Sequence, residues 1–346
     1  MSGRIGVVGL RRGAVLAQWC ERAGLEVAIA CDTDPARRDA VPHARFTDRW
    51  EDLLDARLDG VVLANDFDEH APLAIAFLER GVHVLSETAA CAGEAEGRAL
   101  VAAADASPAT YSFAENYVAH PHVRELARLV AGGAVGVPQL VECEYLHGLS
   151  PDGLEQLLGP PGHWRCRVDP TAYCTHTASP AIALAGALPV EVTALAVDPG
   201  ERPLAVVLAL RMATGALAVT KHGFLQGEHD SHYCWASVRG TRALAESRRA
   251  TGDAAWTVRL REEAWVAGAP HPREVEHVPP PLVLDGARVA REHEGEARIA
   301  AAFAATVTAG APPLVGVREA VAASLVGVAG ARSLAEGGRP VAVPAL

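Results

Sequence analysis

The chain has 346 residues, of which 50% are hydrophobic and 21% charged, with a formal net charge of -11. That length favours two domains, and the composition is that of a folded globular protein rather than a disordered one. The acidic balance argues against a nucleic-acid partner, and no apolar run reaches membrane-spanning length.

The seven cysteines have no metal-ligand spacing. Cys20, Cys31 and Cys91 lie in apolar contexts and read as buried, reduced thiols. With a strand pattern already under way at Arg4, the expectation is a cytoplasmic chain.

Short apolar runs alternate with helical patterns over the first hundred residues, which reads as βαβ units on a parallel sheet. Strands are predicted at 5–8, 27–31, 60–64, 82–85 and 110–113. Helices are predicted at 14–22, after Pro35, at 72–80 and at 89–106. Around Glu115–Pro121 the texture changes. A helix at 123–130 leads through three glycines into a strand at 139–145 with a period of two, placing Val141, Cys143 and Tyr145 on one face. Further strands are predicted at 190–197, 204–211, 216–222 and 235–239. So many strands with few helices between them suggest a largely antiparallel sheet. The Pro- and Gly-rich stretch 149–171 reads as a long connection of the lid or active-site kind, and a last helix is predicted at 317–335. The fold expected is an α/β Rossmann domain over 1–118 plus an α+β domain over 119–346 with a large, mostly antiparallel open sheet, its C-terminal segment returning toward the first domain.

The turn after the first strand holds Gly9, Leu10, Arg11 and Arg12. Against the dinucleotide fingerprint GxGxxG, reading from Gly9 gives Arg11 at the middle position and Ala14 at the third. Ala satisfies the packing requirement at the third position. Arg11 does not supply the bare backbone that a pyrophosphate approaches. Asp32, 23 residues beyond Gly9, is close to the offset of about 20 for a ribose-binding carboxylate. A carboxylate there accepts hydrogen bonds from ribose hydroxyls and repels a 2′-phosphate, favouring NAD over NADP. Asp32 is also a sensible N-cap for the Pro35 helix, with Asp34 the nearer candidate for that role. Arg37 or its neighbour Arg38 could lie over the adenine or meet a phosphate, which keeps NADP as the alternative.

Several segments resemble the glucose–fructose oxidoreductase/inositol dehydrogenase/MocA (Gfo/Idh/MocA) family: RIGVVGL, ANDFDEHAPLAIAFLERGVHVLSET, ENYVAHPHVRELARLVAGGAVGVPQLVECEYLHG and SLAEGGRPVAVP. The resemblance implies NAD as cofactor, a sugar-like small-molecule substrate and a homo-oligomer. It adds Asn65, His70, Glu87 and Asn116 to the cofactor-binding positions. One departure concerns chemistry. The family's Glu-Lys-Pro signature reads Ser86-Glu87-Thr88 here, so the lysine that assists proton transfer is replaced by a hydroxyl that neither takes nor gives a proton usefully at neutral pH. In YCTHTASPAIAL, His176 matches a histidine the family often carries, although the acidic residue usual four positions before it is Ala172.

His176, Tyr145 and His147 are therefore the catalytic candidates, since hydride loss from a carbinol needs a base for the hydroxyl proton. The structural alternatives are a core or helix-start histidine for His176 and a packing aromatic for Tyr145. Trp164 and Arg165 in GHWRCR, with Tyr173, are the substrate-binding candidates. His222, His229 and His232 have no standard ligand spacing; a polar loop between strands is expected there, and no metal. Lys221, the one lysine, would pair with a carboxylate. Three functions stay open. The first is an NAD-dependent oxidoreductase acting on a sugar, glycoside or cyclitol hydroxyl. The second is a redox-neutral glycoside hydrolase, lyase or epimerase working through transient oxidation, as in the NAD-dependent α-N-acetylgalactosaminidase-like hydrolases that YLH and CTHTASP resemble. The third is a nucleotide-binding protein without catalysis.

Overall fold

The computed structural model describes residues 2–159, 168–197, 204–225, 233–250 and 255–346. The chain divides into two compact units, Met1–Ala119 with Leu282–Leu325 and Leu346, and His120–Pro281 with Val326–Ala345.

In the first unit, β1 (Arg4–Val8), β2 (Glu26–Cys31), β3 (Arg45–Thr47), β4 (Gly60–Leu63), β5 (His83–Ser86) and β6 (Tyr111–Phe113) form one sheet, ordered β3-β2-β1-β4-β5-β6. Every pairing in it is parallel. All four residues of β4 are buried, as a parallel strand covered on both faces requires. The helices are α1 (Gly13–Arg22), α2 (Glu51–Leu54), α3 (His70–Glu79) and α4 (Glu94–Ala106). The expected helix at 89–106 starts late, at Glu94. Residues ahead of it are tied elsewhere, with the Ala90 N–H donating to Ser324 Oγ at 3.0 Å and the Ala92 N–H to Glu96 at 2.9 Å.

The second unit holds α5 (Pro121–Ala131), β7 (Pro138–Gly148), α6 (Pro151–Leu158), α7 (Thr175–Ala185), β8 (Pro189–Val197), β9 (Ala205–Met212), β10 (Leu217–Leu225), β11 (Ala236–Gly240), β12 (Ala243–Arg248), β13 (Thr257–Glu262), α8 (Ala264–Ala267) and β14 (Arg273–His277). The connection expected over 149–171 contains α6, capped by the Ser150 hydroxyl accepting from the Gly153 N–H. After β14 come the short strands β15 (Val283–Leu284) and β16 (Ala287–Arg288), then α9 (Glu294–Ala309), α10 (Val317–Ala335) and β17 (Val341–Ala342). The larger sheet is ordered β14-β13-β12-β11-β7-β10-β9-β8-β17, and its one parallel pair is β7 with β10.

The sequence places 119–346 in a second domain whose C-terminal segment returns toward the first; in the structure Leu282–Leu325 groups with the first unit. The reason is α9. Its small and apolar residues Ala297, Ile299, Ala300, Phe303 and Ala304 share one core cluster with Ile5, Leu16, Trp19 and Val62. Phe303 is 1% exposed, so Phe303→Ala will lower unfolding free energy by about 3–5 kcal/mol. Urea denaturation checks this, and a loss below ~1 kcal/mol would show that α9 lies outside the core.

Candidate functional site

In an open parallel sheet, ligands bind beyond the carboxyl ends of the strands where the strand order reverses, here between β1 and β4. Gly9 occupies that point with φ 84°. A Cβ on Gly9 would stand 2.4 Å from the Ala64 carbonyl oxygen and 2.6 Å from the Asn65 nitrogen. Glycine is therefore required both by dihedral and by the close approach of the loop after β4. The packing glycine is Gly13 rather than the third-position Ala14 of the fingerprint reading, since a Cβ there would meet Val7 at 2.9 Å and Ala64 at 3.3 Å. The turn is thus a tight Gly9–Gly13 loop, and Arg11 projects from it, exposed and with no polar partner among the described residues.

Asp32 follows β2, and both its carboxylate oxygens accept backbone donors, Leu10 N–H at 2.7 Å and Asp34 N–H at 2.9 Å. Leu10 itself is buried in the core. Asp34 is the N-cap of the short helical turn at Pro35, accepting from Ala36 N–H, so the capping alternative belongs to Asp34. Arg37 reaches Asp34 at 3.7 Å and Asp32 at 4.0 Å. Arg38 instead lies over the Phe46 ring.

Arg12 bridges two carboxylates, Glu87 at 3.0 Å and Glu296 at 3.1 Å. Burial works against its charge, but Glu87 and Glu296 outweigh it and hold the guanidinium more firmly protonated than usual. Glu296, on α9, went unnoticed in the sequence because nothing local marks a partner 284 residues away. The Asn65 side chain has both amide atoms buried without a partner. His70 is buried, with Nδ1 hydrogen-bonded to the Ala89 carbonyl at 3.0 Å and Nε2 unpartnered. Burial lowers its pKa. Asn116 accepts from Ala119 N–H through its carbonyl.

In the second unit a separate group gathers on β7, β10 and the start of α7. The Tyr145 hydroxyl and His147 Nε2 are hydrogen-bonded at 2.8 Å. The His176 ring lies 4.5 Å from that of Tyr145, and Tyr173 stands 6.0 Å from His176. The three catalytic candidates are thus neighbours. Two aromatics that the sequence reading missed complete the group. Tyr233 lies 4.6 Å from His147, and Phe224 stacks on it at 5.7 Å. The β7–β10 register explains Phe224, which pairs with His147 as His222 pairs with Tyr145. Trp164 and Arg165 lie outside the described residues, as do His229 and His232.

His222 is not in a polar loop. It sits within β10, fully buried, with Nε2–H donating to the Pro170 carbonyl at 3.3 Å. Among the described residues no cluster suits a metal ion. Lys221 pairs with Glu144 at 2.6 Å.

Residues 3–129 match the model of the oxidoreductase family with NAD-binding Rossmann fold, GFO_IDH_MocA. Over that segment the chain is similar to the NAD-binding Rossmann domains of the Gfo/Idh/MocA family. A 157-residue stretch is 27% identical to a glycosyl hydrolase family 109 protein of Stenotrophomonas maltophilia (strain K279a), over 41% of this chain and 35% of that protein. In fold, the whole chain is similar to a levoglucosan dehydrogenase solved with NADH and levoglucosan (TM-score 0.82, 17% identity, 100% of both chains). It is also similar to an aldose-aldose oxidoreductase from Caulobacter crescentus (TM-score 0.73, 18% identity, 99% of this chain and 100% of that one).

Burial, with His176 nearby, pushes His147 down to about 4, and burial with the same neighbour does so for His222. An unfolded histidine titrates near 6.5, so acidification from 6.5 toward 4 protonates the unfolded chain first. Stability is therefore greatest above pH 6.5 and falls as pH drops, by roughly 1.4 kcal/mol per pH unit for each proton taken up. His222→Gln will flatten that slope. Urea midpoints measured from pH 4 to 8 check it, and an unchanged slope would contradict a neutral His222.

Proposed function

We propose that this chain is an NAD-dependent oxidoreductase acting on a hydroxyl of a sugar, glycoside or cyclitol. The observation that carries this reading is the Tyr145–His147 hydrogen bond with the His176 ring tilted against Tyr145, in a chain whose residues 3–129 match an NAD-binding Rossmann family. The first unit fits a dinucleotide. Gly9 leaves bare backbone at the switch point, and Asn65 offers a buried, unpartnered amide. Asp32 holds a carboxylate at the β2 tip, where its charge disfavours a 2′-phosphate, while Leu10, Arg11, Arg12, Arg37, His70, Glu87 and Asn116 complete the binding set. When bound, NAD supplies the hydride acceptor.

The protein's own part is proton handling. Thr88 stands where the family lysine would, so the proton of the reacting hydroxyl must leave through another group. His176 takes it as the carbon is oxidised. His147 stays neutral well below physiological pH and therefore orients the Tyr145 hydroxyl rather than storing a proton. Tyr145 bonds the substrate oxygen or, in a redox-neutral reaction, takes the proton of the neighbouring acidified C–H. That second reading, transient oxidation with release of a leaving group, is favoured by Thr88 and by the likeness to the family 109 protein. Tyr173 lines the same group, and Trp164 and Arg165 are proposed to contact substrate.

His176→Asn and Tyr145→Phe will each lower turnover by about 10²–10⁴-fold while NAD⁺ affinity, read by calorimetry, stays unchanged. Asp32→Ala will do the reverse, weakening NAD⁺ by at least about tenfold through loss of charge-assisted hydrogen bonds. The deciding assay follows NADH absorbance at single turnover and steady state over free sugars, cyclitols and aryl glycosides. Steady NADH on a free sugar is the expected result. Aglycone release without net NADH would move the assignment to the redox-neutral reading, and silence with NAD⁺ bound would overturn both.

A further inference from the structure

Tyr233 touches both Tyr145 and His147, with ring centroids 5.6 and 4.6 Å away. The residue after it, Cys234, is a buried non-glycine residue at φ 65°. Left-handed backbone of this kind persists in an L-residue only where its surroundings over-determine it. The next residue, Trp235, is tied to β7 by its carbonyl, which accepts from Glu144 N–H at 2.9 Å. Cys234 is held from another direction. Its carbonyl accepts Nε2–H of His122, 112 residues earlier, at 2.9 Å. His122 is fully buried at the start of α5, and its ring stacks on Trp256 at 4.4 Å and 25°.

We propose that His122 is a positioning residue, and that its hydrogen bond to Cys234 holds the left-handed turn that seats Tyr233 against Tyr145 and His147. The inference rests on the reading of Tyr145, His147 and His176 given above and extends that site by two residues. The hydrogen bond needs a proton on Nε2, which in the neutral ring fixes the tautomer. Burial first, then His120 and Arg249, keep the His122 pKa well below its usual value, and the Cys234 carbonyl opposes them only in part. A buried imidazole that stays neutral presents one fixed donor over the whole working pH range. Tyr233 is then an edge of the candidate site whose place is set by an element remote in sequence rather than by its own strand.

The chain has five tyrosines, so 3-fluorotyrosine labelling gives a ¹⁹F spectrum that Tyr→Phe variants can assign completely. In His122→Phe, which keeps a ring against Trp256 but has no donor, the Tyr233 and Tyr145 resonances will shift while that of Tyr111 in the first unit stays put. His122→Gln, whose amide can still donate, will hold the wild-type positions. Adding Cys234→Gly to His122→Phe will bring them back, because glycine needs no outside constraint at that dihedral. Unchanged Tyr233 and Tyr145 resonances in folded His122→Phe, or no recovery in the double variant, would overturn the proposal. Where His122→Phe does not fold, His122→Asn, too short to reach the carbonyl, makes the same comparison with His122→Gln. Turnover by Tyr145→Phe separates the two claims. Full activity there removes the catalytic reading and leaves the ¹⁹F result standing, whereas an inactive Tyr145→Phe with an insensitive Tyr233 removes only the positioning.

Discussion

The backbone of Gly9 passes so close to Ala64 and Asn65 that no side chain fits between them, and much of the geometry at the carboxyl ends of β1, β2 and β4 follows from that approach. It brings the ends of β1 and β4 together at the point where strand order reverses. It also turns the chain so that Leu10 sends its side chain into the core and its N–H to Asp32. The Asp32 carboxylate thereby does two jobs. It braces the turn through Leu10 and Asp34, and it keeps a negative charge at the β2 tip. A shorter loop than the full fingerprint becomes workable because Gly13, four residues on, lets α1 pack against Val7 and Ala64. Arg11 then occupies a position where bare backbone is usual, offering a guanidinium in place of an amide.

Arg12 extends the same turn in another direction. Its guanidinium joins Glu87, beyond β5, to Glu296 on α9, so the Gly9–Gly13 turn, the segment carrying Thr88 and α9 share one charge network. Removing Arg12 would leave two partly buried carboxylates without their shared cation, which costs more than the intact set contributes. That is a physical reason for a proposed cofactor-facing Glu87 to be held by Arg12. It also explains why a segment more than 280 residues along the chain belongs structurally to the first unit.

Five of the six parallel strands were legible as short, largely apolar runs, whereas the edge strand β3, with Arg45 and Thr47 in its three residues, was not; the period-two pattern of β7 put Val141, Cys143 and Tyr145 on a buried face. The outer strands of the larger sheet were not legible. β12, β13 and β14 carry Glu246, Arg259 and Glu274, which pair across strands; read singly, such charged stretches look like loops. Helix α9 was missed because its alanine-rich face is small rather than strongly apolar. In the candidate site, Tyr145, His147 and His176 could be named from the sequence. Phe224 needed the register of β10, while Tyr233 and His122 needed a turn and a hydrogen bond between residues far apart in the chain.

The chemistry proposed for the second unit depends on a contrast between histidines. His147 and His222 lie close to His176, and both are held neutral by burial and by that proximity. Crowding imidazoles around one another makes it costly for more than one to carry a charge. His222 has Nε2 committed to the Pro170 carbonyl, and His147 has its Nε2 committed to Tyr145. Two of the three rings are thus fixed as neutral hydrogen-bonding groups, and the third, His176, is the proposed proton acceptor. The proposed activity therefore depends on the same burial of His147 and His222 that makes the fold sensitive to acid.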